Sequence, residues 1–251
     1  NAKKKKKKAQ KIKAAVYMIS LQHETREENE LTGVKELEKE IAGAAQPSKS
    51  MLQSLLAGIY WNYYQNNRWN MYDRTETAAA FKKEDIATWT AEDFHKKVTE
   101  LYLFSVKEEK ILQQAKLEIY DALIIKGNTR SLRPTLYDLL AHRALGYFGN
   151  DERDIKKPAY AFEINQPEAF APAKEFAAAK FTTNDELSLY HKVLVTYQKL
   201  IAFHLDDANP DALIDADIQR ISFVNNHTTM QNKTELYRSA LEKIIAVHGN
   251  Y

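Results

Sequence analysis

Apolar side chains recur every three or four residues along one stretch of this chain, and that spacing is typical of a packed helix. The stripe consists of Leu52, Leu55, Leu56, Ile59, Tyr60 and Tyr63. Six aromatic residues fall between Tyr60 and Tyr72, and several of them, such as Trp61 and Tyr64, lie off the stripe. The pattern therefore predicts a helix that contacts neighbours on several sides.

Helical spacing recurs along the rest of the chain, and turn-forming residues are few. Only 7 glycines and 6 prolines occur in 251 residues, too few for many β-turns. Helices are predicted over 9–23, 28–45, 48–67, 90–106, 117–126, 135–148, 184–205, 211–224 and 234–247. The helix at 184–205 has apolar residues on two faces and is predicted to be the most buried. These helices predict an all-α fold of stacked helical hairpins, similar to tetratricopeptide repeats or an α-solenoid.

Residues 151–182 form the exception, because Pro158, Pro167 and Pro172 interrupt helical spacing. The segment is predicted to be an irregular connector whose aromatic side chains dock on the helices. A short strand at Tyr160–Ile164 is the alternative there. Residues 10–251 are expected to form a single helical domain with a subdivision near 150–183, and to be a fragment of a larger protein.

The first residues differ from the rest in charge. Eight of the 36 lysines and arginines lie within the first thirteen positions. The basic residues of the remaining chain are outnumbered by its 34 acidic residues, so that part has a net negative charge. No aromatic residue is interleaved with the run Lys3–Lys8, and no second basic patch accompanies it. We interpret 1–9 as a tag or unassigned residues and predict no nucleic-acid partner. No apolar run of about eighteen residues occurs, so no membrane span is predicted.

Several polar groupings were weighed as reactive sites. Glu92 and His95 have the spacing of a helical carboxylate–histidine pair, but a di-iron bundle requires that motif twice. The acidic group from Asp206 to Asp217 lacks the glycine and final glutamate of a calcium loop. Arg143 is predicted to pair with Asp138 or another acid. With no cysteine and no phosphate-binding or nucleophile motif, we predict no enzyme, no catalytic residue, no metal and no cofactor.

The stretch from Arg68 to Thr88 loses helical spacing and is predicted to be a long ordered loop, a class of segment that often carries function. It contains Arg68, Trp69, Tyr72 and Arg74, which are of the residue types that dominate many protein interfaces. One interpretation is that these four residues bind a protein partner. The alternative is that the two aromatic side chains fill the core beneath the loop.

Four blocks, in this order and spacing, carry a resemblance to a known family. They are YWNYYQNNRW from Tyr60, DIATW from Asp85, YDAL from Tyr120 and RPTLYDLLAHRAL from Arg133. Over most of 10–251 the chain resembles the N-terminal helical region of large bacterial alpha-2-macroglobulin-like proteins. In that family this region precedes the macroglobulin β-sandwich domains.

The resemblance implies a periplasmic or cell-surface protein, often lipid-anchored, that traps or restrains proteases. The bait region and the thioester of the family match no residue here. The resemblance therefore implies a non-catalytic helical interaction module, whose partners are other domains of the same large chain or a membrane-protein complex. A free-standing tetratricopeptide-like adaptor that binds a peptide or a membrane-protein partner is the alternative.

Overall fold

A computed structural model describes residues 28–71, 85–121, 124, 127, 130–152 and 158–249. Within these ranges the fold contains nine α-helices: α1 (Glu28–Gly43), α2 (Ser48–Asn67), α3 (Ala91–Val106), α4 (Glu109–Gln113), α5 (Leu136–Phe148), α6 (Ala173–Ala178), α7 (Leu189–His204), α8 (Asp211–His227) and α9 (Lys233–His248). The same residues contain no strand, only isolated bridges between Lys116 and Thr135 and between Ile164 and Thr228. The all-α prediction is confirmed, whereas the tetratricopeptide-like detail stays a prediction.

Contacts divide the chain into two compact units. The first comprises Asn1–Gly127 and Thr135–Ala144, and the second comprises Asn128–Pro134 and Leu145–Tyr251. The last boundary, between Ala144 and Leu145, lies within α5 rather than in the connector. The predicted helix at 9–23 and the lysine run fall outside the described residues.

The first unit is organised by the apolar stripe of α2, which packs along α3 and also contacts α1. Leu56, Ala57 and Phe94 are completely or almost completely buried. Tyr60 stacks on Trp89 with ring centroids 5.2 Å apart, and Trp89 lies 5.0 Å from Phe94. The prediction of a helix with contacts on several sides agrees with these packing partners.

A polar contact joins α2 to α5 within this unit. Arg143 Nε donates to Ser54 Oγ at 2.9 Å, and its Nη2 donates to the Ser54 carbonyl at 3.3 Å. A Cβ added at Gly58 would lie 3.3 Å from Arg143 Nη2, so glycine leaves room for the guanidinium. The predicted pairing of Arg143 with an acid is wrong, because its guanidinium donates to Ser54. The carboxylate of Asp138 instead accepts from the Thr135 backbone N–H at 2.8 Å.

The second unit consists mainly of α6 to α9. In this unit α6 packs against α7, α7 against α8, and α8 against α9. Its buried polar centre is Arg220 of α8, which is 1% exposed. The guanidinium donates to the carbonyls of Ala169 at 2.5 Å and Ala171 at 2.9 Å, and to the carboxylate of Asp217. It also lies 4.4 Å from the ring centroid of Phe176. One side chain thus holds the connector against α8.

The connector is more ordered than predicted. It contains a 3-10 turn at Pro167–Phe170 and the short helix α6, while Phe170, Phe176 and Phe181 are buried as predicted. Tyr160 is an exception at 62% exposed. The alternative strand at Tyr160–Ile164 is wrong, since Ile164 forms only a single bridge to Thr228.

Two predicted helices differ from those observed. Of the helix predicted over 117–126, the structure shows a 3-10 turn from Leu117 to Tyr120, whereas most of 122–126 lies outside the described residues. The backbone just before this turn pairs laterally, since the Leu136 N–H donates to the Ala115 carbonyl at 2.8 Å. The helix expected at 184–205 begins at Leu189, after a turn in which the Ser188 N–H donates to the Asp185 carbonyl at 3.0 Å.

The prediction that this helix is the most buried is also wrong. Nine of the thirteen residues of α5 are buried, against eight of sixteen in α7. Asp138 belongs to the buried set of α5 because its carboxylate is used in capping the helix.

Candidate protein-interaction site

The end of α2 carries the strongest candidate for a docking surface. The helix ends at Asn67 and continues into a 3-10 turn, Arg68–Asn70, closed by a 2.9 Å hydrogen bond from the Met71 N–H to the Arg68 carbonyl. Met71 is buried and anchors the turn. Trp69, in contrast, is 73% exposed.

Arg68 and Trp69 form a local pair on this turn. The guanidinium carbon of Arg68 lies 5.1 Å from the centroid of the Trp69 ring, within the range of a cation–π interaction. Arg68 Nη1 also donates to Gln65 Oε1 at 2.8 Å. Both contacts are between residues close in sequence, and they place the guanidinium over the indole ring, which stays largely exposed.

Of the four predicted partner-binding residues, the structure therefore describes two and brings them together. Arg68 and Trp69 are adjacent, whereas Tyr72 and Arg74 lie outside the described residues. Trp69 differs sharply from Trp89, which is buried in the aromatic core of the same unit. Helical spacing in the sequence does not predict that Trp69 is exposed and Trp89 is buried. The helix ends at Asn67, so the spacing no longer indicates which side chains beyond it face the core.

Two large apolar side chains near the end of α9 are exposed. Val247, which continues the apolar spacing of the predicted helix, is 70% exposed, and Ile245 is 65% exposed. Ala240 is the residue of α9 that is buried. Along α9 the described burial is therefore limited to one position, which amphipathic spacing alone does not predict.

Glu92 and His95 have separate partners. Glu92 is exposed and forms an ion pair with Lys96 at 2.8 Å. His95 is buried, with its ring 5.6 Å from Trp61 and 5.2 Å from Tyr64. The two side chains point to different environments, so the spacing reflects helix packing.

The acidic group from Asp206 to Asp217 is likewise divided among separate partners. Asp207 contacts His204 at 2.7 Å, Asp215 pairs with Arg133 at 3.2 Å, and Asp217 binds Arg220. Across the part of the chain that the structure describes, no three histidine or acidic residues converge as metal ligands would. These carboxylates stabilise individual helix positions.

The groups with shifted pKa values include three buried tyrosines and the buried Arg220. Burial raises the pKa of Tyr60, and the neighbouring Glu38 carboxylate, which accepts its hydroxyl hydrogen bond at 3.2 Å, raises it further. Burial also raises the pKa of Tyr137 and Tyr197. For Arg220, desolvation lowers the pKa and Asp217 opposes that shift. The shifts extend the pH range over which these tyrosines stay protonated to values above their ordinary pKa near 10.

Comparison with protein-family models, with curated proteins and with solved structures finds no match. Among the described residues, no helix combines the length and apolar character that crossing a membrane requires.

Proposed function

We propose that this chain is a non-catalytic helical interaction module that docks a protein partner at the Arg68–Trp69 turn. The single observation that supports the proposal is the 73% exposure of Trp69, a residue type whose burial contributes strongly to binding. Covering the exposed part of the indole with a partner surface lowers the free energy of the complex.

The geometry of the turn favours a protein partner whose surface combines apolar and acidic groups. The apolar indole supplies contact area, while Arg68 places a positive charge and planar hydrogen-bond donors next to it. Such a pair suits a partner segment that presents an apolar side chain flanked by a carboxylate. Because Arg68 is held by Gln65, little side-chain freedom is lost on binding.

The biological context of the proposal comes from the resemblance described above. The resemblance supports a module of a bacterial alpha-2-macroglobulin-like protein of the periplasm or cell surface, a class that is often lipid-anchored, acting in protease inhibition or envelope defence. The partner is then another domain of the same chain or an envelope protein.

A tetratricopeptide-like adaptor is the second candidate, and the consecutive packing of α7, α8 and α9 supports it. In such an adaptor, the stacked helices bind a peptide. The coding sequence around this segment distinguishes the two functions: downstream β-sandwich domains favour the macroglobulin context, whereas their absence favours the adaptor.

The docking proposal is tested by placing a photo-crosslinking amino acid at position 69 in the full-length protein in its native cells. A second protein carries the same group at Tyr160, an exposed aromatic position of the other unit. We expect position 69 to yield a discrete crosslinked protein or a discrete domain of the same chain, identified by mass spectrometry, and position 160 to yield none.

The identified pair is then measured with purified components. Trp69→Ala is expected to weaken binding by about thirtyfold, the effect of an interface residue contributing about 2 kcal/mol. Tyr160→Ala serves as the matched control and is expected to leave affinity unchanged. Equal crosslinking at both positions, or unchanged affinity of the Trp69→Ala protein, would overturn the proposal.

A further inference from the structure

We draw no further inference here: the strongest candidate, the exposed apolar end of the last helix around Ile245 and Val247, carries nothing because nothing in the structure shows what covers it.

Discussion

At the scale of single residues, the second unit depends on a buried charge pair. Arg220 and Asp217 lie one helical turn apart on α8, and both side chains are almost fully buried. Desolvating two charges is costly, and the cost is offset here because the guanidinium also satisfies the carbonyls of Ala169 and Ala171. The pair is therefore sensitive to loss of either partner.

Arg220→Met is expected to lower the free energy of unfolding by about 3–5 kcal/mol, because it leaves Asp217 charged and buried without its partner. Urea denaturation followed by circular dichroism measures the change. Adding Asp217→Leu removes the isolated carboxylate, so the double variant is expected to be more stable than Arg220→Met alone. A double variant less stable than the single one would contradict this account.

Two of the three tryptophans of the first unit, Trp89 and Trp69, allow a matched comparison. Trp89→Ala removes a buried ring that stacks on Tyr60 and is expected to cost about 3–5 kcal/mol. Trp69→Ala removes an exposed ring and is expected to change stability by less than about 0.5 kcal/mol. Thermal melts of both variants test the assignment. A Trp69→Ala melting temperature several degrees below that of the parent would place this indole in the core.

Buried tyrosines give the protein a defined pH dependence. The pKa values of Tyr60, Tyr137 and Tyr197 are raised in the folded state, so these groups stay protonated after the unfolded chain begins to ionise near pH 10. The unfolded state then binds fewer protons, and stability present below about pH 10 is lost as pH rises above it.

Melting temperatures measured from pH 8 to pH 11 are expected to fall steeply above about pH 10. Tyr60→Phe removes one of the responsible groups and is expected to show a shallower fall. Tyrosinate absorbance followed in the folded protein gives an independent measure, since ionisation of the buried groups should accompany unfolding. An identical slope in parent and variant would exclude Tyr60 as a contributor.

At the scale of elements, two helices begin with the same reciprocal cap. Asp93 N–H donates to Thr90 Oγ1 at 3.2 Å, and the Thr90 N–H donates to Asp93 Oδ2 at 3.0 Å. Thr135 and Asp138 repeat this arrangement at the start of α5. Each box satisfies donors that a helix start leaves without an intrahelical acceptor.

Thr90→Ala and Thr135→Ala are each expected to lower the free energy of unfolding by about 1 kcal/mol, because each removes a cap acceptor. Thr234→Ala is the control, since Thr234 is an exposed residue within the first turn of α9 and alanine favours a helix there. Chemical denaturation of the three variants tests the contrast. Equal effects at all three positions would show that capping is unimportant.

At the scale of the whole molecule, each unit contains its own apolar core. Phe94 belongs to the first unit and Leu194 to the second, and both are 0% exposed. Phe94→Ala is expected to cost about 3–5 kcal/mol and Leu194→Ala about 2–5 kcal/mol, because each leaves a cavity among well-packed neighbours. Hydrogen exchange with mass spectrometry resolves where the stability is lost.

Each substitution is expected to increase exchange most in peptides of its own unit. Leu213→Ala, at a second buried position of the second unit, should reproduce the pattern of Leu194→Ala. Uniform acceleration across both units after either change would contradict the assignment of separate cores. Far-ultraviolet circular dichroism of the parent should be dominated by helix, as the described residues require.

The sequence by itself determined the elements whose ends carry a local signal. Thr90 with Asp93 resembles a capping signal, and Arg133-Pro134-Thr135 predicts the next helix start; the structure places both starts within one residue. Gly149-Asn150 predicts the end of that second helix, which the structure has at Phe148. The aromatic-rich stripe predicted α2 with its full length. These features follow from hydrogen bonds and side-chain spacing within one or two turns, which are encoded locally.

Only the tertiary structure decided which apolar helix faces are buried by other elements. A backbone hydrogen bond from Leu136 to Ala115 precedes the 3-10 turn at Leu117–Tyr120, and the polar partner of Arg143 is Ser54 rather than an acid. The exposure of Trp69 and Val247 likewise depends on whether another element reaches that position. Amphipathic spacing specifies an apolar face, but burial of that face depends on contacts between residues distant in the chain.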